Sequence, residues 1–138
     1  MNKPQSEPIW IIIKGTPHSN QRYDTCGDWY NSPGAGLVIK VSQELSRKEQ
    51  FLVAIHELIE AFLCECAGIS EAAVDRFDRD EARWQAVEPG DMVQAPYYKQ
   101  HQIATGIEKI LAAEVGVGWL EYENHCNELE YLDEKSNS

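Results

Sequence analysis

The sequence predicts an α+β domain in which a small N-terminal β-sheet of about three strands precedes about four helices. Three observations carry that expectation. β-branched residues concentrate in two runs of the first third, Ile9 to Lys14 and Leu37 to Val41. After them the hydrophobic spacing changes from strand-like alternation to the ~3.6-residue repeat of a helix. The change falls at Ser46-Arg47-Lys48-Glu49, which has the Ser-x-x-Glu form of a capping box.

Ile9 to Lys14 reads as the first strand, closed by Gly15-Thr16-Pro17, and Arg22 to Tyr30 as a mixed polar and aromatic second strand. Asn31-Ser32-Pro33-Gly34-Ala35-Gly36 is turn chemistry, and Leu37 to Val41 is the third strand. The first and third strands are expected to be buried, whereas the second carries charge. A helix is expected from the capping box to the stop at Gly68, with Phe51, Leu52, Ile55, Leu58, Ile59, Phe62, Leu63 and Cys66 on one apolar arc and His56 and Glu60 at its edge. A second helix spans Ser70 to about Gln85, with Val74, Phe77 and Trp84 among charges, and ends in the Glu88-Pro89-Gly90-Asp91 turn. Pro96 is placed at the first position of a third helix that runs to Val115, with Ile103, Ile107, Leu111 and Val115 as its apolar stripe. The last helix, Trp119 to about Leu132, packs Trp119, Tyr122 and Leu129.

A chain of 138 residues is expected to form a single domain, 1–138, that buries well over half of its unfolded surface. Residues 1–8 and 133–138 read as flexible tails. No apolar run approaches the ~20 residues of a transmembrane helix, and no leader-like segment opens the sequence, so the expected compartment is the cytoplasm. With 12 Lys and Arg against 23 Asp and Glu, the formal net charge of −11 disfavours direct binding of DNA or RNA. That charge suits a basic protein partner or mimicry of nucleic acid. Four cysteines, Cys26, Cys64, Cys66 and Cys126, are expected as free thiols, with Cys64 and Cys66 on different sides of their helix.

The chemistry concentrates at His56-Glu57-Leu58-Ile59-Glu60. Positions i and i+4 share a helix face, so His56 and Glu60 can reach one cation while Glu57 projects ~100° away. His101 and Glu108, seven residues apart, return to one face of the third helix beside Ala104, Leu111 and Val115. If the two helices pack together, His56, Glu60 and His101 converge as ligands, and Glu108 is either a fourth ligand or the group that orients His101. Nitrogen and oxygen donors accept zinc, manganese, iron or nickel, and zinc is the first expectation. Asp75, Asp78 and Asp80 read as a solvated acidic face, while Trp29, Tyr30, Tyr97 and Tyr98 are candidates to line a cleft. His18 and His125 have no partner that the sequence identifies.

The segment resembles the active-site helix of zincin metallopeptidases, His-Glu-x-x-His, with His56 and Glu57 matching and Glu60 in place of the second histidine. The resemblance implies a metal-dependent hydrolase of peptide or amide bonds, with Glu57 as general base and the Leu37 to Val41 strand holding extended substrate. The whole chain is also similar to small phage and prophage proteins with a His-Glu-x-x-Glu-Ala helix, which implies a host cytoplasm. A weaker likeness, through His56-Glu57 and Pro96-Tyr97-Tyr98, is to helical His-Asp phosphohydrolases, and through Glu57 and Glu60 to helical nucleotide pyrophosphohydrolases. The alternatives to a peptidase-like hydrolase are therefore a non-enzymatic acidic inhibitor or DNA mimic and a metal-dependent nucleotide phosphohydrolase. The sequence leaves the oligomeric state open.

Overall fold

The computed structural model describes residues 8–81 and 88–131. Three strands, β1 (Ile11–Thr16), β2 (Gly27–Ser32) and β3 (Gly36–Ser42), form one sheet in the order β1-β3-β2. The central strand β3 runs parallel to β1, from Ile11 opposite Leu37 to Thr16 opposite Ser42, and antiparallel to β2, from Gly27 opposite Val41 to Ser32 opposite Gly36. Helices α1 (Arg47–Cys66), α2 (Glu71–Arg76), α3 (Tyr98–Val115) and α4 (Trp119–Glu128) follow, so the arrangement is α+β. A wider helical turn, Phe77–Glu81, extends α2. The remainder of the expected second helix, Trp84 included, lies outside the described residues. So do Leu132 and the expected tails apart from Pro8.

The segment between β1 and β2 must pass the end of β3, and polar side chains pin it there. The His18 backbone N–H donates to the Glu44 carboxylate, its Nδ1 lies 2.7 Å from Ser42 Oγ and its Nε2 lies 2.8 Å from Asp24 Oδ1. Gln21 Nε2 donates to the Cys26 carbonyl at 3.1 Å. His18 is thus a buried structural residue. The second strand is shorter than expected because residues 21–26 serve this passage and pairing begins only at Gly27.

The capping box forms: Ser46 Oγ accepts from Glu49 N–H, and Glu49 Oε1 accepts from Ser46 N–H. Helix α1 then lies with one side over β2 and β3 and the other against α3, and Gly68 (φ +72°) ends it. Its neighbour α3 runs antiparallel, since His56 meets Glu108 and Glu60 meets His101, while Lys48 Nζ donates to the Val115 carbonyl.

Burial departs from the hydrophobic pattern in three places. Strand β1 is not buried: Ile11, Ile12 and Ile13 are 39%, 43% and 50% exposed, because the single covering helix sits over β2 and β3. On α1, Phe51, Phe62 and Cys66 are exposed, and the buried set is Glu49, Leu52, Val53, Ala54, His56, Glu60, Ala61 and Cys64. Sandwiching the helix between two layers buries more than one arc, so His56 and Glu60 stand inside rather than at an edge. On α3, Ile103 and Ile107 face solvent, while His101, Ala104, Glu108 and Ala112 are buried. The small alanines let two helices carrying polar side chains approach closely. Pro96 precedes the helix, which starts at Tyr98 behind Tyr97 as N-cap.

The cysteine geometry follows the helical spacing: Cys64 is buried and Cys66 exposed, and all four thiols are free. Among the described residues no helix is long and apolar enough to cross a membrane.

The α1–α3 seam sets a stability test. Ala104→Leu, at a position with no exposure, is expected to destabilise the chain by about 1–3 kcal/mol through overpacking. Ile107→Ser, on the exposed side, should change it by less than ~1 kcal/mol. Urea unfolding midpoints of the two variants check the contrast.

Candidate metal centre

Three side chains from the facing sides of α1 and α3 converge. His56 Nε2 lies 3.1 Å from Glu60 Oε2 and 3.1 Å from His101 Nδ1, and His101 Nδ1 lies 2.7 Å from the same Glu60 oxygen. All three residues are between 5% and 8% exposed. A tetrahedral zinc with bonds of ~2.0–2.1 Å would hold such ligand atoms ~3.3 Å apart, so the triangle is close to the size a cation requires.

The outward atom of each ligand is occupied. His56 Nδ1 lies 2.7 Å from Glu108 Oε1, and Glu108 Oε2 accepts from the Tyr122 hydroxyl at 2.6 Å. A carboxylate is an acceptor, so Nδ1 carries the hydrogen and Nε2 keeps its lone pair for the centre. His101 Nε2 lies 3.3 Å from Asp91 Oδ1, an oxygen that also accepts from Gln102 Nε2 at 2.9 Å. The second oxygen of Glu60 accepts from Trp29 Nε1 at 3.0 Å. Glu108 accordingly stands behind His56 as its orienting carboxylate, not behind His101, and outside the triangle of ligand atoms.

Three acceptors facing one another in a buried space call for positive charge between them. Protons supply it when no cation does. Burial works against a charged His56, but hydrogen bonds to Glu108 and Glu60 outweigh it and raise its pKa well above 6.5. Burial likewise opposes charge on His101, and Glu60 raises it. Burial would raise Glu60, yet His101 and His56 hold it down at about 2.

Beside the triangle lies a cavity of about 30 Å³ lined by residues that include Asp28, Glu57, Glu60, Asp78, Tyr97 and His101. That volume has room for one or two waters. Glu57 reaches it from α1, one residue after His56, and packs against the start of β2: a Cβ on Gly27 would stand 2.6 Å from Glu57 Oε1. Burial, and then the charge of Glu60, raise the Glu57 pKa well above 4.5. Asp78 is not on a solvated face as its spacing predicts: burial pushes it up to about 7 against the Tyr97 hydroxyl, which donates to Asp78 Oδ1 at 2.5 Å. Asp75 pairs with Arg22. His125, for its part, binds Glu49 Oε1 through Nδ1 at 2.8 Å.

Strand β3, which the zincin resemblance casts as the substrate-holding strand, is paired on both sides and has no free edge. The strand that borders the cavity is β2, through Gly27, Asp28 and Trp29. Its outer edge is partly taken, with Arg22 donating to the Trp29 carbonyl and Asn31 N–H to Glu71. Trp29 is legible in sequence as a cleft aromatic. The roles of Tyr122, Asp91 and Gly90 are not, because each depends on a contact across a turn or between helices that no local spacing encodes.

No protein-family model, curated protein or solved structure matches the chain.

Gly90 supports His101 by lacking a side chain, since a Cβ there would stand 2.3 Å from the His101 Cγ and 2.4 Å from its Nδ1. Gly90→Ala is therefore expected to displace the ring, and would weaken any cation held at the triangle by ~10–100-fold, a loss typical of disturbed ligand support. Gly106→Ala, with open space around it, should leave affinity unchanged. Competition with a chromophoric chelator measures both. A cation held at the triangle would also have to displace protons from imidazoles whose pKa is raised, so its affinity should fall as pH is lowered, with the loss already under way above pH 6.5. Calorimetry in buffers of different ionisation enthalpy checks the proton release.

Proposed function

We propose that this chain is a metal-dependent hydrolase of peptide or amide bonds, with zinc held by His56, Glu60 and His101. The observation that carries the reading is the convergence of three lone-pair atoms within 2.7–3.1 Å, each braced from behind by a separate partner. When bound there, zinc supplies Lewis acidity and an acidified water. Glu57 faces the same cavity with its carboxylate in no hydrogen bond among the described residues, and burial raises its pKa, which strengthens it as a proton acceptor. Glu108 and Tyr122 keep His56 in the tautomer that presents Nε2.

The choice of an amide over a phosphate ester rests on charge. The cavity lining contains Asp28, Glu57, Glu60, Asp75, Asp78 and Glu88 and neither Lys nor Arg. An anionic phosphate has no cationic side chain to meet there, whereas a neutral amide carbonyl carries no such penalty.

Elemental analysis of protein purified without chelator is expected to give about one zinc per chain, lost in His56→Ala and in His101→Ala. Glu57→Gln should keep the zinc and lose at least ~100-fold in turnover on a peptide library, since general bases contribute at least that much. A wild type that binds no metal after reconstitution rules the reading out. Equal turnover in Glu57→Gln and wild type would remove Glu57 from its role.

A further inference from the structure

We infer that Cys26 and Cys126 form a paired oxidation site, which closes to an intramolecular disulfide when the chain meets a small-molecule disulfide such as oxidised glutathione and so fastens α4 to the edge of the sheet. The two residues are 100 positions apart, yet the Cys26 thiol donates to the Cys126 carbonyl at 3.5 Å. Both are half-buried and pack against the core, whereas Cys64 is fully buried and Cys66 stands alone at the surface. The Cys26 backbone is held firmly: its carbonyl accepts from Ser42 N–H and from Gln21 Nε2. Cys126 lies one helical turn after Tyr122 and next to His125, on the side of α4 that faces the core.

The Cys126 side chain and burial push the Cys26 thiol up, which disfavours Cys26 as the first nucleophile. The Cys126 thiolate attacks one sulfur of oxidised glutathione, breaking its S–S bond and releasing one glutathione thiolate. Cys26 then loses its proton to solvent and attacks the Cys126 sulfur of the mixed disulfide, displacing the second glutathione. Two protein thiols are oxidised and one small disulfide is reduced to two thiols. The new bond ties α4, whose Tyr122 holds Glu108 against His56, to the residue preceding β2.

The test incubates the full-length native chain with oxidised glutathione, blocks remaining thiols and maps peptides by mass spectrometry without reduction. A Cys26–Cys126 cross-link is expected in the wild type and in a Cys64→Ser, Cys66→Ser background, and neither in Cys126→Ser nor in Cys26→Ala. Closing a loop of this length should also raise the Tm by at least about 5 °C, a gain reversed by reductant. A glutathione adduct at Cys66 without the cross-link would show that the oxidant acted and that the pair does not close. A cross-link found only in denaturant would likewise overturn the site, and one without a gain in Tm would overturn the fastening of α4.

Discussion

The rest of the structure is arranged around ionisable side chains buried between α1 and α3. His56, Glu60, His101 and Glu108 all lie below 9% exposure in one helix–helix seam, where isolated charges would each cost several kcal/mol. The seam is tolerable because each group is paired on two sides: the ligand atoms meet at the centre, and Trp29, Asp91 and the Glu108–Tyr122 pair meet the outward atoms. Those partners come from β2, from the turn before α3 and from α4. One electrostatic requirement therefore dictates where three otherwise separate elements must sit.

That requirement also explains the odd distribution of apolar residues. Short side chains must line a seam where polar groups are to touch, so Ala104 and Ala112 are buried while Ile103 and Ile107 are turned outward. A helix pair packed by isoleucines alone would hold its axes farther apart, beyond the reach of an imidazole and a carboxylate across the gap. The sheet is served by one helix only. Covering β2, the strand that carries Trp29 to Glu60, leaves β1 uncovered, and the exposure of Ile11, Ile12 and Ile13 follows.

Local chemistry was the legible part of the sequence. The change of period at Ser46, the capping box and the strand–strand–strand–helix order depend on residues within a few positions of one another, and they fold as their spacing says. The i, i+4 pair of His56 and Glu60 is legible for the same reason, as is the shared face of His101 and Glu108. Burial was misread wherever tertiary layering overrode residue size. Phe51 and Phe62 look like core residues on a helical wheel, but α1 meets the sheet and α3 along other directions. His18 has no local partner; it binds Ser42, Asp24 and Glu44, residues brought near only by the passage to β2. Gly90 reads as turn chemistry because nothing in its neighbours announces a histidine ring packed on its backbone.

Pairing on both sides has a consequence for how this site is dissected. Removing one member of a buried, doubly paired set leaves its partners less well compensated, at a cost to stability. His56 is the extreme case, since its removal takes one partner each from Glu60, His101 and Glu108. Glu57 is different: it enters the cavity from the same helix, yet no described residue depends on its carboxylate for a hydrogen bond. Its raised pKa comes from burial and from the Glu60 charge, both of which a neutral glutamine would relieve. A change at Glu57 thus alters the lining of the cavity while leaving the triangle of His56, Glu60 and His101 and its supports in place. The triangle and its braces hold the seam together, whereas Glu57 is a half-buried carboxylate that makes no hydrogen bond among the described residues.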